Sequence, residues 1–314
     1  MAKPTVAAIR PTTNPIFTKM MISYMNDEMS FVATNAAPVV PVNEESGTYF
    51  TFSSKYWFKD QLERRAYGDT FARAGYDLGS DTYKTLHWGL EHPIPVEHQA
   101  TSQTPASLTT LGIEWLGTQS LMRKEEAFAT DFMTTSVWTT DDTTAQDWDT
   151  TGNPINDVRT AKRTIRQALG VPGNAAVMGE IVYDALHTNA EILGMVQYTE
   201  SLTEDRRDAL MASVLGLDYL LVGRAVRNTA NLGQSASLSP FIDDDCLVCI
   251  IKPGADMMTV SSMKTFTWAP GGGQGEISTY NEPQSRNSTI LQHVEQWDQK
   301  LITADGGYFF SDIV

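Results

Sequence analysis

Cys246 and Cys249 enclose Leu247 and Val248, the spacing of a redox dithiol or of half a zinc site. The run around them is apolar and strand-like, and in a strand residues three apart point to opposite faces. Zinc would need two further ligands, and the chain has no second cysteine pair. Both therefore read as buried structural thiols. His87 and His92, with Glu91 and Glu97 nearby and His98 beyond, form the densest metal-capable cluster. Their five-residue interval misses the i, i+4 face on which two histidines grip one ion, and Pro93 and Pro95 favour an extended chain. These read as loop residues that pack on a neighbour. Gly271-Gly272-Gly273-Gln274-Gly275 lacks the Lys-Ser/Thr of a phosphate loop and reads as a turn between strands. Asp243-Asp244-Asp245 lacks the alternating oxygen ligands of a calcium loop and reads as solvated. Asn287-Ser288-Thr289 matches a glycosylation acceptor by chance. No Gly-x-Ser-x-Gly elbow occurs, and His187 and His293 stand alone. No catalytic, metal or cofactor-binding residue is assigned, and the chain reads as a non-enzyme without cofactor.

The elements that carry these residues belong to a chain of 314 residues, long enough for one large or two medium domains. Its composition, 41% hydrophobic and 19% charged, is that of a folded protein. A formal net charge of −15 disfavours a general nucleic-acid binder, which works by clustered Lys and Arg. The acidity reads first as ordinary solubility, and it does not exclude a surface that nucleic acid merely lies against. No segment reaches the roughly 18 apolar residues of a membrane span, and the N-terminus lacks a charged-then-apolar signal pattern. With no disulfide framework, a reducing cytoplasm is expected.

Residues 1–46 carry Pro4, Pro11, Pro15, Pro38 and Pro41 around a short amphipathic piece at 17–31, an extended arm with helix at its centre. From 47 to 58 aromatic and polar residues alternate as in a half-buried strand. The segment 55–101 is rich in charge, Gly and aromatics, sustains no apolar period, and so has no face with which to close a core. Such an arm is expected to dock on other chains. A helix is predicted from 104 to about 138, with Thr104 as N-cap and Pro105 at the first position. Leu108, Leu111, Trp115, Met122, Phe128 and Phe132 stripe one side, widened by Leu116 and Met133, with Gly112 and Gly117 as weak points. Roughly 33 residues make a rod of about 50 Å, long enough to cross a whole domain.

Beyond the rod, 139–153 reads as a polar, acidic loop, and Asn156 or Asp157 caps a helix that runs through Leu169 and ends at Gly170. Helices are expected at 181–188, 190–196 and 203–215. Strands are expected at 175–178, 219–222, 246–251, 265–268, 277–280, 288–294 and 304–310. Strands and helices mix without regular alternation, which predicts an α+β fold.

This order of arm, aromatic strand, charged hairpin, long helix, acidic loop and α+β block resembles the major capsid proteins of tailed phages, whose fold is named for phage Hong Kong 97. Gly173-Asn174-Ala175-Ala176-Val177-Met178-Gly179 with the helix at 181–187 looks like the family's strand backed by a helix. The segment 222–230, leading on to 245–253, looks like the strand, loop and strand before its central-domain tip. Pro11-Thr12-Thr13-Asn14-Pro15-Ile16 is similar too. The resemblance implies an N-terminal arm (1–46), an extended loop (47–101), a spine helix and peripheral domain (102–155), a central domain (156–275), and C-terminal strands (276–314) returning to the peripheral domain. It implies pentamers and hexamers that assemble in the host bacterial cytoplasm and close into an icosahedral virion shell. That shell packages double-stranded DNA without sequence-specific binding. Scaffolding, portal or decoration proteins are further partners in such shells, and a membrane is not. Some relatives crosslink Lys to Asn, but no local motif marks Lys55, Lys59 or Lys84 for this.

The expected mechanism is docking of the loop on a neighbour. Tyr49, Phe50, Phe52, Tyr56, Trp57 and Phe58 contribute apolar area, and Arg64, Arg65 and Arg73 bridge carboxylates of adjacent subunits. Two alternatives stay open: a nanocompartment shell of the same fold that encloses enzymes, and a hydrolase with a lid arm.

Overall fold

A computed structural model describes residues 15–27, 30–51, 58–75, 79–101, 105–144, 147–150, 152–196, 204–231, 233–254, 256–273, 275–282 and 287–314. The N-terminal part supplies α1 (Pro15–Asp27), α2 (Ala33–Ala36), β1 (Val39–Val42), β2 (Ser46–Thr51), β3 (Gly79–Lys84), β4 (Leu86–Pro95) and α3 (Val96–Thr101). The long helix α4 (Pro105–Phe132) follows, then β5 (Thr140–Asp142), α5 (Pro154–Leu169), β6 (Ala175–Gly179), α6 (Glu180–Thr188), α7 (Ala190–Val196) and α8 (Glu204–Leu215). The rest is strand: β7 (Tyr219–Gly223), β8 (Val226–Asn228), β9 (Leu238–Pro240), β10 (Cys246–Cys249), β11 (Met263–Trp268), β12 (Glu276–Glu282), β13 (Ser288–Leu301) and β14 (Gly307–Phe310). The α+β expectation holds.

One sheet runs β5-β14-β10-β6-β7, with β10 antiparallel to both neighbours and the pairs β6–β7 and β14–β5 parallel. Strands β6 and β10 are apolar and buried at every position, as strands covered on both faces must be. Their alternation sorts the side chains. Ala176, Met178, Cys246 and Val248 join a core with Val158 and Ile165 of α5, Leu186 of α6 and Met211 of α8. Ala175, Val177, Leu247 and Cys249 face a second core with Phe128, Phe132 and Trp138. The two cysteines thus lie on opposite faces, as their spacing requires.

In the other sheet β13 is the spine. Strands β11 and β12 pair with its C-terminal and N-terminal parts, β1 adds in parallel to β11, and β4 covers its other edge from Ser288↔Pro95 to Trp297↔Leu86. The residues 86–95, read as part of a coreless arm, are therefore a sheet strand with Ile94 buried. Residues 39–42, read as extended arm, likewise form a strand. Strand β13 continues to Leu301, well past the expected 294, because β11 takes over from β12 as its partner.

Helix α4 starts at Pro105 as expected but stops at Phe132, making a rod of about 42 Å. Trp138 folds back so that its indole N–H donates to the Phe132 carbonyl at 2.8 Å, and Ser136 adopts φ 71°, so the chain has already turned. Gly112 is a contact point. A Cβ there would lie 2.9 Å from His92 Cδ2 and from Leu291 Cδ1, so its absence lets helix and sheet meet. Helix α5 is capped by Asn153, whose side chain accepts from Asn156 N at 2.9 Å, with Pro154 in the first position. The cap thus lies upstream of the expected Asn156 or Asp157. The helix ends as predicted at Gly170, φ 74°.

Candidate assembly surface

Strands β2 and β3 form a hairpin, Ser46↔Lys84 to Thr51↔Gly79, whose root is fastened to the body by two tyrosines. Tyr49 and Tyr83 pack on Phe266 of β11 at ring distances of 5.3 and 4.7 Å. The Tyr49 hydroxyl lies 3.0 Å from the Leu301 carbonyl and 3.2 Å from an Asp81 carboxylate oxygen. Burial first, then that carboxylate, pushes the phenol up. Tyr49 is thus buried within its own chain, while Phe50, next along the strand, faces solvent.

Past the hairpin the described arm, 58–75, has no helix or strand and is exposed at nearly every position. Phe58 is 60% exposed, Leu62 94% and Phe71 77%, and Tyr67 is fully exposed. Arg64, Arg65 and Arg73 are exposed too, and among the described residues none of them forms an ion pair. Arg65 instead lies over the Phe71 ring at 4.0 Å and donates from Nε to the Ala66 carbonyl at 3.3 Å. Phe52, Tyr56 and Trp57 fall outside the described residues. Arg64, Arg65, Arg73 and Phe58 thus all lie in the exposed segment 58–75, with the Phe58 ring against Gly170, whereas Tyr49 is buried in the hairpin. Leu62, Tyr67 and Phe71 were not picked out from the sequence. Their intervals of five and four residues follow no helix or strand period, and a lack of period in an apolar-containing segment was the available signal.

Two buried carboxylates fasten elements of the body to the long helix. Glu125, inside α4, accepts from the backbone N–H of Val32 at 3.1 Å and of Ala33 at 2.9 Å, which fastens the start of α2 to the long helix. Burial pushes Glu125 up to about 7 against the pull of those two hydrogen bonds. Glu295, inside β13, receives Lys124 of the same helix and the Ser120 hydroxyl, each at 2.8 Å.

The remaining chemistry-bearing residues are scattered. His87 and His92 lie on β4, with His92 against Trp115 at 5.4 Å. His187 sits edge-on to Tyr183, and His293 is buried 3.7 Å from Glu295. Gly271, Gly272, Gly273 and Gly275 lie in the connection between β11 and β12. Asp245 is pushed to about 6 by burial, next to Asp243, Asp244 and Asp312. Among the described residues no group of three His, Cys, Asp or Glu side chains is placed to hold a metal ion, and no helix is long and apolar enough to cross a membrane.

No protein-family profile matches the chain, and no curated protein matches it by sequence. Solved structures do match its shape. A phage-related protein from Bordetella bronchiseptica RB50 superposes with a TM-score of 0.73 at 17% identity, over 96% of this chain and 98% of that one. The capsid protein assigned to a prophage of Escherichia coli CFT073 gives 0.57 at 12% identity, over 97% and 100%. The capsid of cyanophage P-SCSP1u gives 0.55 at 9% identity, over 99% and 91%. Such low identities speak to architecture only, and the agreement runs over nearly the full length of each chain. With its hairpin arm, long helix and paired sheets, the chain has the fold of the phage major capsid proteins, the Hong Kong 97 type.

Proposed function

We propose that the chain is a capsid protein of a tailed bacteriophage, a structural subunit whose pentamers and hexamers close into an icosahedral shell around double-stranded DNA. One observation carries this: on a capsid fold, the arm 58–75 presents Leu62, Tyr67 and Phe71 bare to water beside three arginines that form no ion pair among the described residues. Large apolar side chains exposed together mark a surface meant to be covered. A neighbouring copy covers it, the aromatics giving buried area and the arginines direction. Interfaces of several thousand Å² repeated around a shell sum many weak contacts into a lasting wall.

In this reading 1–46 is the N-terminal arm, 47–101 the extended loop, 102–155 the spine helix with the peripheral domain, 156–275 the central domain, and 276–314 the returning strands. Strand β4 then belongs to the loop's base. The shell forms in the host cytoplasm and ends in the virion, with no membrane and no cofactor.

The test is electron microscopy of the purified chain with assay of its contents. Closed shells, filled with nuclease-protected DNA when taken from phage, are expected. A chain that stays monodisperse at high concentration overturns the reading. Shells filled with protein instead of DNA would make it a nanocompartment.

A further inference from the structure

Helix α5 concentrates positive charge on a chain that carries −15 overall. Arg159, Lys162, Arg163 and Arg166 recur at i, i+3, i+4 and i+7, which stacks them along one side of the helix. They border a groove of about 410 Å³ whose apolar lining includes Ile155, Val214 and Leu215. Lys162 donates to the Gly216 carbonyl across it. Arg159, Arg163 and Arg166 are exposed, and none of the four cations has an ion-pair partner among the described residues. Four neighbouring cations repel one another, and a groove that gathers them calls for an anion.

The complementary charge stands at the other end of the same helix. Between Lys124 and Arg159 the sequence has no Lys or Arg; Asp141 and Asp142 end strand β5, and Asp147 and Asp149 lie between β5 and α5. Trp148, between the last two, is held firmly. Trp148 is fully buried, its backbone N–H donates to the Ile313 carbonyl at 3.1 Å, its indole N–H donates to Asp157 at 2.9 Å, and its carbonyl accepts from Asn189 at 2.8 Å. Asp147 and Asp149 on either side of it are exposed and, among the described residues, have no ion pair. Acid at one end and base at the other is the layout of a head-to-tail contact, which closes rings when repeated.

We infer that the α5 groove receives the exposed Asp147 and Asp149 of a second copy, so that acidic end meets basic side around a ring. This rests on the shell reading and names one of its contacts. A nucleic-acid backbone is the other anion of sufficient length. The net charge of the whole chain repels DNA, which favours the acidic turn of a second copy.

The test is charge reversal and rescue on the full chain, read by sedimentation and electron microscopy. Arg159→Glu with Arg163→Glu makes the groove set, and Asp147→Asn with Asp149→Arg the loop set. Asn is chosen at position 147 because Asp147 has φ 45°, which Asn tolerates. Each set alone is expected to lower the assembled fraction at least tenfold with unchanged thermal unfolding, and the two sets together to restore it to within about threefold. Either set assembling like the parent, or the combination doing no better than its parts, overturns the inference while leaving the shell reading intact. If the parent forms rings but no closed shells, and reversal and rescue act on the rings, the groove contact stands and the shell reading falls. A groove set that assembles normally but loses binding to a 30-base-pair duplex shown by the parent assigns the groove to nucleic acid instead.

Discussion

Lys124 Nζ lies 2.8 Å from Glu295 Oε2, both side chains largely out of water, and so joins the long helix to the longest strand. Burial alone would push Glu295 up, but the Lys124 ammonium, with His293 beyond it, outweighs burial and holds the carboxyl at about 2. Removing one partner strands the other's charge inside the protein. Lys124→Met should cost about 3–5 kcal/mol at neutral pH, and adding Glu295→Gln should recover more than half of it. Urea unfolding of the two variants measures this, and equal stability of single and double variants would count against the pair.

The two buried carboxylates give opposite pH dependence. Glu295 is depressed from 4.5 to about 2, so its contribution is present above 4.5 and is lost as pH falls through 2. Glu125 is raised from 4.5 to about 7, so the folded state binds the extra proton, and its contribution is full below 4.5 and lost as pH rises through 7. Each is worth about 3 kcal/mol over its window. Stability of the wild type should therefore decline from pH 5 to 8, and Glu125→Gln should flatten that decline. A variant whose profile parallels the wild type between pH 5 and 8 would sink the assignment.

Gly112 and Gly194 are both helical, and they should respond to alanine in opposite ways. At Gly112 the new Cβ meets His92 and Leu291 at 2.9 Å, whereas at Gly194 nothing lies within 4 Å. Alanine gains up to about 1 kcal/mol in helix propensity at either site, but overpacking costs about 1–3 kcal/mol. Gly112→Ala should lower the unfolding midpoint and Gly194→Ala raise it. The reverse order would mean that helix α4 has room to move off the sheet.

Arg64→Ala with Arg65→Ala should leave the monomer as stable as the parent, within about 0.5 kcal/mol, because both residues are exposed and unpaired by acids in the described structure. Assembly should be impaired. Normal particles from this variant in micrographs would remove the arginines from the interface.

Limited proteolysis separates the arm from the strand that follows it. Free chains should be cut within 58–75 and spared within 86–95, where β13 holds the backbone, and assembly should protect both. Equal resistance of 58–75 in free and assembled forms would remove the need for docking.

What the sequence disclosed follows the range of the forces involved. Gly170 at the end of α5, Pro105 at the start of α4, and strands β6 and β10 were legible because a cap, a fixed φ and an unbroken apolar run act locally. Strand β1 was not, since Val39–Val42 becomes a strand only by pairing with Thr265–Trp268. Leu86–Pro95 was hidden for the same reason, its partner β13 lying far along the chain and its two prolines arguing against a ladder. The end of α4 at Phe132 depends on Trp138 returning to it, a tertiary event. Of the candidate assembly surface, the charged arm was visible as a segment without a core. The stripe on α5 was printed in its spacing, but a positive helix face has no meaning until the groove beside it is seen.

Strand β10 puts Cys246 on one core and Cys249 on the other, and burial pushes both thiols up, Cys249 to about 12. The protein therefore carries its own pair of gauges. With either cysteine replaced by serine, the alkylation rate of the survivor reports how often its side of the sheet opens to reagent, and the two rates compared say whether the layers breathe together or apart.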